Sequence, residues 1–253
     1  MTISALLGGT TAGLAGSSAT PSQATSASNA ASPALAQAQK RIQADADVTT
    51  AQISKFGVIK SALLDTQVAA KAMKAVTGTT PPADVTTAMG KFFNAYNASV
   101  AAANAATKAT ASGSDADRAK RVVQDLKSSL SNDPLAATAL KKLGLTFQTD
   151  GSLLQDPKKF AASMTSDRAG TVAAMAKMGS RVDMVSGNEL GSAGPVGAAL
   201  TTLNAHNTSL KAVQSAFKSL NAATSSGSAA SSTSSTYGQL GMGLAAYQSN
   251  TGA

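Results

Sequence analysis

The sequence predicts a mainly α-helical protein, built as an elongated antiparallel coiled coil or helical bundle with one small β-hairpin and disordered, low-complexity termini. Residues 33–76 and 195–223 repeat apolar or small side chains every seven positions, the spacing with which two helices pack along a narrow seam. Asp150-Gly151 separates two short apolar runs, as in a hairpin turn. No charged residue precedes Lys40 or follows Lys218.

The first long helix is predicted over residues 33–76. Pro33 suits its first turn and Ser32 its N-cap, and the Thr, Gly and Pro residues of 77–82 end it. The predicted pairing seam of this helix, together with Ile53 from the adjacent row, consists of Leu35, Ile42, Thr49, Phe56, Leu63 and Ala70.

The last long helix is predicted to pack antiparallel to the first. Its seven-residue row consists of Val196, Leu203, Leu210 and Phe217. The resulting organisation is a disordered arm over residues 1–32, a helical core over residues 33–224, and a Ser-rich linker and arm over residues 225–253. Within the core, a body of shorter elements occupies residues 83–187.

The body is predicted to contain several helices and the hairpin. Phe93 and Tyr96 belong to its first helix, where the aromatic residues are concentrated. Gly144 follows a short helix at the position where left-handed backbone is common. Asp156 precedes Pro157, a pair that is typical of an N-cap and a first helical residue.

Composition narrows the range of functions. The chain of 253 residues has no Cys and a net charge of +8, so disulfides and thiolate metal sites are excluded. Nucleic-acid binding is one interpretation of the basic excess, but the lysines are spread along the chain, which favours solvated helical faces. No apolar run approaches the ~18 residues of a membrane span, and the N-terminus lacks the basic segment of a cleaved signal peptide.

No catalytic constellation is present, and we therefore expect neither enzyme activity nor a cofactor. His206 is the sole histidine and Glu189 the sole glutamate, so paired metal or nucleophile chemistry lacks its residues. Asp150 and Asp156 weakly suggest a calcium loop, but a hairpin turn and a helix cap explain both residues. The glycines of residues 187–197 lack the Gly-Lys-Ser/Thr of a phosphate loop.

Four sequence patterns, in order along the chain, resemble the flagellar filament cap protein, the flagellar hook-associated protein 2 family. They are QISKFGVIKSAL at residues 52–63, FFNAYN at 92–97, LGLTF with the following DGSL, Asp and Phe at 143–160, and AFKSL at 216–220 with residues 234–240. The matching positions singled out are Gly57, Lys60, Phe93, Tyr96, Asn97, Gly144, Phe147, Asp150, Gly151, Asp156 and Phe160. Residues 77–82 stand where the family carries its outer β-rich domains, so the chain resembles a reduced form.

The resemblance implies a non-enzymatic, extracellular protein of the bacterial flagellum, exported without a cleaved signal peptide. Its implied partners are further copies of itself in a ring, flagellin and the filament end, and it allows for an export chaperone; nucleic acid and membrane insertion are not expected. Two alternatives stay open: an accessory protein of the hook–filament junction, and a secreted helical adaptor or effector-type binding module unrelated to flagella.

Overall fold

The computed structural model describes residues 21–109, 113–132 and 134–225, and within them it confirms the mainly helical fold with one small antiparallel sheet. The predictions for residues 1–20 and 226–253 lie outside these ranges. The elements are α1 (Pro21–Ala75), α2 (Pro82–Ala109), α3 (Ser114–Ser131), α4 (Pro134–Lys142), β1 (Leu145–Phe147), β2 (Leu153–Gln155), α5 (Pro157–Ser166), α6 (Arg168–Leu190) and α7 (Pro195–Ser225).

Helix α1 begins at Pro21, whereas the sequence predicted its start at Pro33 after a disordered arm. Ala and Ser dominate the intervening residues, and neither residue type prevents helix formation. Pro33 therefore lies inside the helix rather than in its first turn. Helix α6 likewise continues to Leu190, beyond the predicted end of the body at residue 187.

The chain divides into two compact units, residues 1–44 and residues 45–253. Among the described side chains of the first unit, Leu35 is exposed and Ile42 is half-buried. The second unit holds the hydrophobic core. Its largest fully buried side chains are Tyr96, Phe56, Phe92, Ile59, Leu63, Met73, Met89, Leu126, Leu130, Leu143, Leu153 and Met175.

Helices α1 and α2 pack through a seam that contains one buried polar pair. The hydroxyl groups of Thr66 and Ser99, both fully buried, lie 2.9 Å apart and form a hydrogen bond. Thr66 also donates to the carbonyl oxygen of Ala62 at 2.9 Å. Because a buried hydroxyl is costly without a partner, this pair favours one register between the two helices.

Helices α6 and α7 follow one another along α1, both antiparallel to it. Asp183 of α6 lies 3.8 Å from the Nζ of Lys71. Farther back along α1, His206 of α7 lies 3.4 Å from the Oδ2 of Asp45. The predicted partner of α1, helix α7, therefore packs along an earlier part of α1. A second helix, α6, packs along the C-terminal part of α1.

Glycine at position 179 allows α6 to approach the backbone of α1. A Cβ atom added there would lie 2.5 Å from the carbonyl oxygen of Ala70 and 3.2 Å from the Cβ of Met73. Gly179 itself is buried. Any larger residue must therefore push the two helices apart.

The two short strands pair antiparallel, with Phe147 opposite Leu153 and Leu145 opposite Gln155. The prediction of a hairpin around Asp150-Gly151 is confirmed. Within the described residues, no helix has a stretch both long and apolar enough to traverse a bilayer.

We predict that Gly179→Ala destabilises the protein by roughly 1–3 kcal/mol, because the added methyl group overpacks a backbone contact. Gly57→Ala is the matched control: Gly57 is also in a helix, and an added Cβ there meets no atom within 4 Å. The control should be stabilised by about 0.5–1 kcal/mol. Urea unfolding followed by circular dichroism checks both, and equal effects of the two variants would contradict the close contact.

Candidate functional site

Three side chains of α2 hold the hairpin, and we call them together with residues 150–153 the hairpin clamp. The amide of Asn97 donates from Nδ2 to the carbonyl oxygen of Leu153 at 3.0 Å. Its Oδ1 accepts from the Leu153 backbone N–H at 2.8 Å. Tyr96 donates its hydroxyl to the carbonyl of Gly151 at 3.4 Å, and Asn104 donates to that of Asp150 at 2.9 Å.

The turn of the hairpin is shaped by its own side chains. Asp150 accepts hydrogen bonds from the backbone N–H and the hydroxyl of Ser152, at 2.9 and 2.6 Å. These bonds favour the ionised carboxylate and lower the pKa of Asp150. Gly151 has a φ of +87°, and an added Cβ would lie 2.6 Å from Val123 of α3. Both residues therefore serve the turn and its packing.

A second group of predicted positions joins α4 to α5. Gly144 has a φ of +68°, and its carbonyl oxygen accepts from the N–H of Asp156 at 2.8 Å. Asp156 caps α5 by accepting from the N–H groups of Lys158 and Lys159 at 3.0 and 3.1 Å. Phe160, in the first turn of that helix, is buried. This agrees with the interpretation of Asp156 as an N-cap.

The aromatic positions surround the same region. Tyr96 is fully buried, and its burial raises the pKa of its hydroxyl, which therefore remains a hydrogen-bond donor at neutral pH. Its ring lies 6.2 Å from that of Phe92, measured between centroids. Phe93 and Phe147 are half-buried. The Nζ of Lys127 lies 5.8 Å from the centroid of the Phe147 ring, within the range of a cation–π contact.

Two predicted positions on α1 lie apart from the clamp. Gly57 and Lys60 are exposed. Lys60 forms no ion pair with any residue of the described ranges. Gly57 and Lys60 therefore take no part in the hairpin clamp, and Lys60 lies instead near the start of α7.

The predicted pairing residues differ in burial. Phe56, Leu63, Leu203 and Leu210 are buried. Ile53 and Phe217 are half-buried, as is Ile42. Leu35 is 37% exposed. The buried members lie in residues 45–253, where α1 has α2, α6 and α7 as neighbours.

Glu189 occupies an unusual environment at the end of α6. It is only 3% exposed, and its Oε2 atom has no hydrogen-bond partner. Burial raises the pKa of Glu189 to about 8, and a hydrogen bond to Asp125 together with the negative charge of that residue adds to the effect. The carboxyl group is therefore mostly protonated at neutral pH, and its O–H donates the hydrogen bond to Asp125.

Sequence reasoning missed two polar contacts between helices, the buried pair Thr66–Ser99 and the contact of buried Glu189 with exposed Asp125. In each pair the residues belong to different helices, so no local spacing marks them. The one signal was Glu189 itself, the sole glutamate of the chain. No group of three or more His, Cys, Asp or Glu residues is arranged to hold a metal ion in the part of the chain that the structure describes.

We predict that Asn97→Ala destabilises the protein by about 2 kcal/mol, because two half-buried backbone groups of Leu153 lose their partners. Asn104→Ala is the matched control: it removes one exposed bond to the same hairpin and should cost less than about 1 kcal/mol. Denaturant unfolding measures both values. Amide exchange at Leu153 should accelerate in the first variant alone, and unchanged exchange there would argue against the clamp.

We predict that Glu189→Gln makes the protein less sensitive to pH. Between about pH 5 and pH 8 the folded protein holds the Glu189 proton that an unfolded chain, with a pKa of 4.5, has released. The wild type should therefore lose about 1.4 kcal/mol per pH unit relative to the variant across this window. Urea unfolding at pH 5, 6.5 and 8 measures the difference.

One further variant completes the pH experiment. Asp125→Asn removes a negative charge beside Glu189 and should lower the pKa of Glu189. The pH range over which Glu189 reduces stability should therefore end at a lower pH. Parallel pH profiles of the wild type and Glu189→Gln would contradict the protonated state of Glu189.

Comparison of the chain with protein-family models, with curated proteins and with solved structures found no significant match.

Proposed function

We propose that this chain is a non-enzymatic structural protein of bacterial flagellar assembly, with a role like that of the filament cap. The observation that carries the proposal is the hairpin clamp. Tyr96 and Asn97, from one cap-like sequence pattern, bind Gly151 and Leu153 of the next pattern along the chain. Two patterns separated by more than 50 residues thus form one structural unit, which favours a shared origin over coincidence.

In this proposal several copies of the chain assemble in a ring at the filament tip, and the helical core forms the rigid part of each copy. Helix α1, with α6 and α7 along it, forms the leg, and the hairpin with its neighbouring helices forms the body. The uncharged arms outside these helices, residues 1–20 and 226–253, contact adjacent subunits and the filament end. The ring assists incoming flagellin subunits to insert, outside the cell, and an export chaperone delivers the chain.

The short connection between α1 and α2 distinguishes the proposed cap from the family that it resembles. Arg168 of α6 donates to the carbonyl oxygen of Gly78 at 3.1 Å and to that of Thr80. The turn is therefore held against the core, at the place where cap proteins carry outer domains. A cap made of this chain presents its helical core directly to flagellin, without outer domains.

The decisive experiment is a deletion strain of the source organism. We expect loss of swimming and release of unpolymerised flagellin into the medium, because exported flagellin would not be inserted at a filament tip without a cap. A plasmid copy of the full chain should restore both, whereas a copy lacking residues 1–20 should not, since that arm makes the contacts between subunits.

Labelling of the tagged protein on filaments separates the alternatives. Label at the filament tip supports the cap role, and label at the hook–filament junction would assign the accessory role instead. Normal swimming and no free flagellin in the deletion strain would refute both and favour the unrelated adaptor or effector-type module.

A further inference from the structure

One side of α1 is both uncharged and exposed to solvent. Its residues recur every three or four positions, which places them along one side of a helix. We call them the outer face of α1: Gly57, Ser61, Leu64, Val68 and Ala72, all of them exposed. Leu64 is 43% exposed and Val68 is 67% exposed. An added Cβ atom at Gly57 would meet no atom within 4 Å, so this end of the face is open.

The outer face lies opposite the buried seam of α1. Leu63 and Ala70 are fully buried on that seam, so the hydrophobic core makes no use of the outer face. Charged residues lie along its edges, where Asp65 is exposed and Lys71 forms an ion pair with Asp183. An apolar strip between charged edges is the pattern with which one helix packs against another.

The sequence after α7 contains a second apolar row. It consists of Tyr237, Leu240, Leu244 and Tyr247. These residues are three, four and three positions apart, which is the spacing of one apolar face of a helix. We call residues 237–247 the tail. No charged residue follows Lys218, so packing of this row against an apolar surface buries no charge.

The tail and the outer face are matched in length and in side-chain size. As a helix the tail row would span about 15 Å, and the outer face from Gly57 to Val68 spans about 17 Å. Gly57 and Ser61 are small, which leaves room beside Leu64 for an aromatic ring whose hydroxyl group stays in water. The tail also contains three glycines, which disfavour a helix in isolation, so its apolar row needs a partner surface.

The tail cannot reach the outer face of its own chain. Helix α7 is antiparallel to α1, and His206 lies beside Asp45. From there α7 continues away from the outer face to Ser225. Ser225 and Leu64 are therefore about 57 Å apart along the helix axes, whereas residues 226–236 span at most about 43 Å when fully extended. A tail that binds an outer face must come from a second copy of the chain.

We propose that the tail of one copy binds the outer face of α1 in a second copy. Leu240 and Leu244 contact Leu64 and Val68, and a tyrosine ring fills the space beside Gly57. Each copy offers one tail and one face, so the contact is head-to-tail, the kind of contact that can close into a ring. The inference rests on the proposed function, because it names the surfaces through which the subunits of the proposed ring contact one another.

Sedimentation equilibrium of the full chain measures the contact. An interface of one short helix is at the lower end of the size range for specific interfaces, so the contact between two copies should be weak. We expect reversible association that increases with protein concentration up to about 1 mM, the dissociation constant of a very weak complex. A wild-type chain that stays monomeric over this whole range would overturn the proposal.

A pair of valine variants tests the outer face. Val68→Asp places a charge in the contact and should weaken association at least about tenfold. Val48→Asp is the matched control, since Val48 is also an exposed valine of α1, at 55%, but is not part of the outer face. It should change association less than about twofold. An equal loss in both variants, or no loss in Val68→Asp, would refute the assignment of the face.

A second pair of variants tests the tail without altering α1. Leu244→Asp should weaken association as much as Val68→Asp does. Its matched control is Ala246→Asp, because position 246 lies on the side of the predicted helix opposite the apolar row, and this variant should associate like the wild type. Wild-type association by Leu244→Asp would mean that the tail is not the occupant of the face, and the proposal would be wrong.

Mixing two defective variants tests the head-to-tail arrangement. Val68→Asp keeps an intact tail and Leu244→Asp keeps an intact face. Each should be monomeric alone, and an equimolar mixture should form a one-to-one dimer. A mixture that stays monomeric would overturn the contact, because a symmetric interface cannot be restored in this way.

The solution experiments and the flagellar experiments fail separately. If the deletion strain does not swim but Val68→Asp associates like the wild type, the contact is wrong and the flagellar role stands. If the variants and their mixture behave as expected but the deletion strain swims normally, the contact stands and the flagellar role is wrong.

Discussion

The close approach of α6 to α1 at Gly179 is the constraint on which the helical packing of residues 45–253 depends. With only nine aromatic residues and no Trp in the whole chain, the core has few large side chains, so its stability relies on short distances between backbones. The contact with Ala70 sets the register of α6, and the ion pair of Asp183 with Lys71 agrees with it. Because α7 follows α6 directly, this register also brings the start of α7 near Lys60.

The hairpin clamp is the second interaction that stabilises the core, and its hydrogen bonds join side chains of α2 to backbone groups of the hairpin. A two-stranded hairpin with strands of three residues is at best marginally stable by itself. Asn97 extends its hydrogen bonding by satisfying both backbone groups of Leu153, and Tyr96 fixes the turn from the buried side. This explains the presence of a Tyr-Asn pair on a helix far away in sequence. The proposed flagellar role rests on this unit, since its residues carry the resemblance.

The electrostatics at the end of α6 depend on burial rather than on formal charge. Glu189 is only 3% exposed, and its raised pKa of about 8 keeps it mostly neutral at pH 7. Its hydrogen bond to Asp125 of α3 connects α6 to a third helix. The acid of lowest exposure in the described residues therefore serves the packing of the core.

Sequence alone determined the elements of this protein, because local rules act on neighbouring residues. The seven-residue rows predicted the long helices, and Asp150-Gly151 and Asp156-Pro157 predicted the hairpin and the cap. The start of α1 at Pro21 was not predictable, because Ser- and Ala-rich sequence is compatible with both helix and arm. Only the tertiary structure decided that α1 has α6 as well as α7 for partners, that Glu189 meets Asp125, and that Lys60 lies near the start of α7. Each of these depends on how helices distant in sequence approach one another. A small residue such as Gly179 permits a close approach, but the sequence does not indicate which helix it contacts.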